Sequence, residues 1–247
     1  MDRLIHTGLS ALKAAMARQA VTANNLANAA TTGFRAEMTS VRPLWLNGPG
    51  LADRVFASEE VVAADIKAAA TVPTGKPLDI AMDGDALLTV QAENGDEAYT
   101  RRGDLMVSAS GLLTTGDGHP VMGEGGPVTV PPADQIRIDK DCTLWIIPPG
   151  GDPAAPQKVD RLKLASPAGS NVVKHLDGLF RVRGGGVLPD DPTATVTAGA
   201  LEGSNVNPTT ALVDMIDAAR SWDTQIKLLA TARELDTETT ALMKLPS

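Results

Sequence analysis

The sequence predicts an α+β protein with long N- and C-terminal α-helices forming a coiled-coil-like core element around a central, mainly antiparallel β domain. Two observations predict it. Apolar residues recur at helical spacing at both ends, and neither Gly nor Pro interrupts the C-terminal run after Pro208. Between the ends, short apolar runs alternate with Asp-Gly, Asn-Gly and Gly-rich turns, the pattern of a strand-and-turn module.

The first element is a helix over Asp2 to Asn28. Ile5, Leu9, Leu12, Met16, Gln19, Ala23 and Leu26 repeat at alternating spacings of four and three, with Ala and Gln thinning the seam. Turn-forming residues through Gly33 and Phe34 close this N-terminal part, residues 1–35. Residues 36–74 form a connecting arm in which Pro43, Gly48, Pro49 and Gly50 break any period. The arm reads as irregular, or as a strand followed by a short helix.

The central all-β domain spans 75–198. Leu78–Met82 and Ala86–Val90 flank Asp83-Gly84, the arrangement of strand, turn and strand. Glu97–Arg101, Gln135–Asp139, Thr143–Ile147, Arg161–Leu164, Leu179–Arg183 and Thr195–Thr197 are further strands. In the last part, 199–247, Asn207 is placed to cap a helix and Pro208 to open it. Leu212, Met215, Ala219, Trp222, Ile226 and Leu229 line one side of that helix. The two terminal stripes are expected to bury each other, within one subunit or between subunits; an ordinary helical hairpin is the plainer alternative.

Composition narrows the function. The chain has 247 residues and a formal charge of −8, which opposes non-specific attraction to nucleic acid or anionic lipid. Only 3% of residues are aromatic, against 23 Gly and 17 Pro, so turns are many and large-residue packing is sparse. The single Cys142 excludes an intramolecular disulfide. No stretch approaches the roughly 20 apolar residues that direct membrane insertion requires. Lys13 and Arg18 interrupt the place where a signal peptide would be apolar, so if the protein leaves the cytoplasm it is expected to do so by another route.

Chemistry-bearing patterns are weak. Asp79, Asp83 and Asp85 lack the twelve-residue calcium loop and its terminal Glu, and a hairpin turn accounts for them. His6, His119 and His175 have no ligand spacing, and Gly184–Gly186 lacks the Lys-Ser/Thr of a phosphate loop. No catalytic residue, metal, cofactor or small-molecule substrate is expected. Cys142 reads as a structural residue in a strand or turn.

Three motifs carry a resemblance. Ala23-Asn24-Asn25-Leu26-Ala27-Asn28 precedes Thr32-Gly33-Phe34-Arg35. Gly75-Lys76-Pro77-Leu78-Asp79-Ile80-Ala81-Met82-Asp83-Gly84-Asp85 precedes Tyr99-Thr100-Arg101-Arg102-Gly103-Asp104 and Gly125-Gly126-Pro127. Gly199-Ala200-Leu201-Glu202-Gly203-Ser204-Asn205-Val206-Asn207 leads into the last helix. With these the chain resembles the bacterial flagellar basal-body rod and hook proteins, and its short middle is most like the proximal-rod type, with the distal-rod type the alternative. Ala86-Leu87-Leu88 stands where the family has Gly and two aromatics, and Cys142 where a turn Gly is usual.

The resemblance implies a non-enzymatic subunit of a hollow helical filament in the periplasmic rod. Paired terminal helices would form the inner tube and the β domain would face outward. It also implies torque transmission, passage through the flagellar export apparatus, and partnership with other copies and other rod subunits. The candidate assembly residues are Leu9, Leu12, Met16, Asn24, Asn25, Leu26, Asn28, Gly33, Phe34, Leu201, Asn205, Asn207, Leu212, Met215, Trp222, Ile226 and Leu229. Local readings stand beside the assembly reading: the Asn amides could bond their own backbone, Phe34 could be a core anchor, and Asn205 to Asn207 a turn and a cap. A surface-filament or adhesin-like module, or a hydrolase with an unrecognised site, is the competing class.

Overall fold

The computed structural model describes residues 2–45, 55–175 and 177–243. Helix α1, Asp2–Ala27, opens the chain and helix α2, Pro208–Met243, closes it, with all described strands between them. The chain divides into two compact units. A helical unit comprises Met1–Ala27, Glu37–Val62 and Asn207–Ser247, and a β unit comprises Asn28–Ala36 and Ala63–Val206.

The β unit is built on a five-stranded antiparallel sheet. Its strand order is Leu164–Ala165, Leu87–Gln91, Glu97–Thr100, Phe180–Val182, Val172–Lys174. Leu88 faces Thr100 across the central pair, and Val90 faces Ala98. A three-stranded sheet, Gln135–Ile138, Thr143–Ile147 and Gln157–Arg161, lies within the same unit. Short pairs complete it: Ile80–Met82 with Val196–Ala198, and Thr71–Pro73 with Ala200–Glu202.

Successive residues of one strand serve two cores. Leu88 and Val90 join Leu113, Val121, Leu144 and Leu164 in the larger cluster, while Leu87 joins Tyr99, Ala165 and Phe180 in the smaller. Burial on both faces explains why Leu87-Leu88-Thr89-Val90 is apolar without strict alternation. Each such Leu contributes about 1.5–3 kcal/mol by leaving water. Ala86, Leu87 and Leu88 are all buried, so aliphatic side chains fill the positions where aromatics were expected.

In the helical unit α1 and α2 pack along each other. Gly8, early in α1, lies so close to Leu229 that a Cβ there would stand 2.6 Å from Leu229 Cδ2. Leu229 is about six turns into α2, so the pair is antiparallel. Asn207 caps α2 as its position suggests: its Oδ1 accepts from Thr209 N at 3.0 Å and Thr210 N at 3.1 Å.

The expected architecture needs correction, although the class remains α+β. β structure is not confined to a central domain. Strands Glu37–Trp45 and Val55–Ala64 pair within the stretch expected to be irregular or a strand followed by a short helix, and Thr71–Pro73 pairs with Ala200–Glu202. Pro43 and Glu59-Glu60 hide that hairpin by breaking alternation, and cross-strand pairing is a non-local choice. The coiled-coil seam is also displaced. On α2 the better-buried positions are Ala211, Met215, Ala218, Trp222, Gln225, Leu229 and Ala232, while Leu212, Ala219 and Ile226 are exposed.

The displacement is one residue and has a steric cause. Met215, Trp222 and Leu229 are shared with the expected stripe; the others move from 212, 219 and 226 to 211, 218 and 225. On α1 the same slip replaces Leu9, Met16 and Ala23, all exposed, with Gly8, Ala15 and Thr22, all half-buried. Small residues allow the backbones to approach, and that geometry outweighs the greater hydrophobicity of Leu and Met.

Candidate assembly site

Two groups of residues emerge, one in each unit. In the β unit the three motifs of the sequence converge on a buried charged cluster. Arg35, Arg101 and Glu202 are 0%, 1% and 2% exposed. The Arg35 Nη2 atom lies 2.5 Å from Glu202 Oε1, and Arg101 Nη2 lies 2.6 Å from Glu202 Oε2. Arg101 Nε also donates to Glu202 Oε2 at 2.8 Å, and Ala69 N donates to Glu202 Oε1 at 2.7 Å.

The rest of each guanidinium is turned to backbone. Arg101 donates to the carbonyls of Met82, Gly84 and Ala86, so the Asp83-Gly84 turn is wrapped around it. Arg35 Nη1 donates to Phe34 O at 3.0 Å and Gly203 O at 3.3 Å, while Arg35 Nε has no acceptor among the described residues. Burial pushes Arg101 below its ordinary pKa, with Glu202 opposing and Arg35 reinforcing the shift. Two guanidiniums share one carboxylate, and backbone carbonyls accept from Arg101 Nη1 and Nη2 and from Arg35 Nη1, which offsets part of the desolvation cost.

Gly33 sits over this cluster. Its N–H donates to Glu202 O at 2.8 Å, and its φ of 68° is the left-handed region. A Cβ there would be 2.5 Å from the Arg101 carbonyl, so the position admits no side chain as it stands. Phe34 is half-buried, with the Lys174 ammonium 3.6 Å from its ring centroid. Asn205 accepts from Ala36 N at 2.8 Å and donates to Asp65 O at 2.8 Å. Leu201 is half-buried opposite Val72.

The amides of the first motif act on nearby backbone. Asn25 Nδ2 donates to Glu37 O at 3.0 Å and Asn25 Oδ1 accepts from Glu37 N at 2.9 Å, a reciprocal pair that fixes the start of a strand. Asn28 Oδ1 accepts from Thr31 Oγ1 at 3.2 Å. Asn24 is half-buried and engaged in the structure, and Leu12 and Leu26 are half-buried.

The second group is the outer surface of the helical unit. Leu9, Met16, Leu212, Val213, Ile216, Ile226, Leu228 and Leu235 are exposed, between 44% and 66%. Met215, Trp222 and Leu229 lie instead on the half-buried side. A groove of about 810 Å³ within this unit has small walls, among them Ala11, Ala15 and Ala218, with Arg18, Asp214 and Asp217 at its polar edges. Among the described residues no group of three or more His, Cys, Asp or Glu is arranged to hold a metal ion. No described helix is long and apolar enough to cross a membrane.

Sequence reasoning assigned no role to Arg35, Arg101 or Glu202. Each is a charge set among glycines and turn residues, where solvent exposure is the ordinary expectation. A usable signal was the ionic complementarity of three separate motifs: one Arg after Gly33-Phe34, one Arg after Tyr99-Thr100, and one Glu before Gly203.

The chain matches three family descriptions in order. Residues 5–35 match the flagella basal body rod protein, residues 81–152 the flagellar hook protein FlgE/F/G D1 domain, and residues 197–242 the flagellar basal body rod FlgEFG protein C-terminal region. It is 42% identical over 240 residues to the flagellar basal-body rod protein FlgF of Salmonella typhimurium, covering 95% of each chain. Identity to FlgF of Escherichia coli is 41% over 236 residues, covering 93% of this chain and 94% of that one. FlgG of Bacillus subtilis is 26% identical over 256 residues, covering 95% of this chain and 97% of that one. The matched segments contain Arg35, Arg101 and Glu202, and the chain belongs to the flagellar basal-body rod protein family, as a structural rod component of FlgF type.

Proposed function

We propose that this rod subunit makes its axial contacts through the helical unit, with residues 1–35 and 199–247 carrying assembly and 75–198 forming a separate β module. The observation that carries the reading is the exposed apolar surface of the two helices. Leu9 and Met16 on α1, with Leu212, Ile216, Ile226 and Leu228 on α2, are large side chains left in water. Exposed apolar surface on this scale marks a docking face. Repetition of a heterologous contact between copies produces a helical assembly.

In this reading Asn24, Asn25, Asn28 and Asn205 to Asn207 shape the supports of the docking face, and Leu12, Leu26, Met215, Trp222 and Leu229 hold the helix pair. Gly33, Phe34 and Leu201 position the segments that lead into it. The partners are further copies, other rod subunits and the flagellar export apparatus, and the location is the periplasmic rod, reached without a cleaved signal peptide. The work is mechanical, torque transmission and enclosure of the export channel, rather than catalytic.

A Leu212→Ser/Ile226→Ser variant tests the reading. Its purified chain should keep the urea transition of the β unit, followed by Trp145 fluorescence, yet be absent from purified basal bodies. Recovery in basal bodies at the unaltered level would overturn the assignment of α2 as the docking face.

A further inference from the structure

The charge imbalance of the buried cluster has a consequence for the segment that carries Arg35. Two guanidiniums, Arg35 and Arg101, face the single carboxylate of Glu202, and all three are at most 2% exposed. The partners are unequal. Arg101 holds Glu202 through two nitrogens and is further bound to the carbonyls of Met82, Gly84 and Ala86. Arg35 reaches Glu202 through one nitrogen and leaves its Nε without an acceptor among the described residues. Asp85, exposed, adds its field at Arg101.

Removal of Arg35 would therefore leave a neutral, well-bonded Glu202–Arg101 pair. Removal of Glu202 would leave two buried cations. Segment 28–36 is otherwise attached to the β unit by a short set of bonds: Gly33 N to Glu202 O, Asn205 N to Phe34 O, Ala36 N to Asn205 Oδ1 and Asp65 N to Ala36 O. Lys174 also lies over the Phe34 ring, and Arg35 Nη1 donates to Gly203 O. None of these groups belongs to the larger core cluster.

We propose that residues 28–36 are a detachable strap, locked onto the β unit by Arg35, and that the β unit stays folded when the strap is released. The strap follows directly on α1 in the chain and precedes the strand Glu37–Trp45. Burying the Arg35 charge is costly without Glu202, so Arg35 takes its interior place only together with that carboxylate. The proposal does not depend on how the helices assemble.

The test is hydrogen–deuterium exchange with mass spectrometry on the full-length chain, its Arg35→Met variant and its Glu202→Gln variant. Arg35→Met keeps much of the apolar stem and removes the charge. It should speed exchange in 28–36 and 203–205 by about tenfold or more, while Leu87–Gln91 and Thr143–Ile147 keep their protection. Glu202→Gln should release the strap and also speed exchange at Met82–Ala86, because Arg101 is left unpaired. Unchanged protection of 28–36 in Arg35→Met would overturn the lock. Faster exchange throughout the β unit in that variant would overturn the separability, making Arg35 part of the core's support.

Discussion

The β unit buries side chains that ordinarily stay in water, and the helical unit exposes side chains that ordinarily leave it. Arg35, Arg101 and Glu202 lie inside the first, while Leu212, Ile216, Ile226 and Leu228 lie on the surface of the second. The β unit pairs most of its buried charge internally, through carbonyls and a shared carboxylate, with Arg35 Nε among the few buried polar atoms left without a partner among the described residues. Gly8, Ala15, Thr22 and Ala218 lie on the inner side of the helix pair with Met215, Trp222 and Leu229, and several other large apolar residues are left without cover.

The comparison is broken most severely by Glu202→Ala. Two guanidiniums would remain buried without a counter-charge, and the β unit should lose about 3–5 kcal/mol. Urea unfolding followed by Trp145 fluorescence, with Trp45 and Trp222 replaced by Phe, isolates that unit's transition. Leu144→Ala should cost about 3 kcal/mol in the same measurement by opening a cavity beside Leu113 and Leu164. A loss as large from Leu228→Ala, at 66% exposure, would erase the distinction between the units.

Gly33→Ala should cost about 2 kcal/mol, through positive φ and collision with the Arg101 backbone. Its effect should concentrate in the strap, read by faster exchange at 28–36.

Alkaline pH tests the completeness of the β core. Burial pushes the Cys142 thiol from 9.0 up to about 11. Burial also raises the Tyr99 phenol, which donates to Glu97 at 2.8 Å and accepts from Leu188 N at 2.7 Å. A raised pKa means the folded state holds the proton more tightly. The resulting stability is present below the unfolded value and is lost as pH rises toward the folded one. The β unit should therefore weaken between pH 9 and 11, with Cys142 contributing. Cys142→Gly should flatten that decline and change neutral-pH stability by about 1 kcal/mol or less, because relief at φ 67° offsets the lost thiol packing.

Leu212→Ser/Ile226→Ser should have the smallest effect on the isolated chain, within about 0.5 kcal/mol by thermal unfolding, because both side chains are exposed. A large destabilisation would show that those residues already support the single subunit. Amide exchange sharpens the same contrast: α2 should exchange faster than Leu87–Gln91 in the dilute chain.

Much of the fold was legible. Leu87–Val90 reads as a strand after the Asp83-Gly84 turn, although its burial on both faces came from the structure, and Asn207-Pro208 marks the helix start through local capping chemistry. The Glu37–Trp45 and Val55–Ala64 pairing was not legible, because Pro43 and Glu59-Glu60 break the local pattern that cross-strand bonding overrides. Part of the candidate site was legible too: Gly33, Phe34 and Asn205 were singled out, whereas Arg35, Arg101 and Glu202 were not.

The sequence by itself determined the helices at both ends, the strand-rich middle and the rod-family motifs, because each is written in local periodicity, turn chemistry or residue order. Only the tertiary structure decided which face of each helix turns inward. Backbone approach favours Gly8 and Ala15 over Leu9 and Met16, a preference that no single-helix pattern contains. Tertiary structure also decided that charges from three distant segments meet in the interior. Their burial is tolerable only when all three arrive together with the carbonyls that surround them.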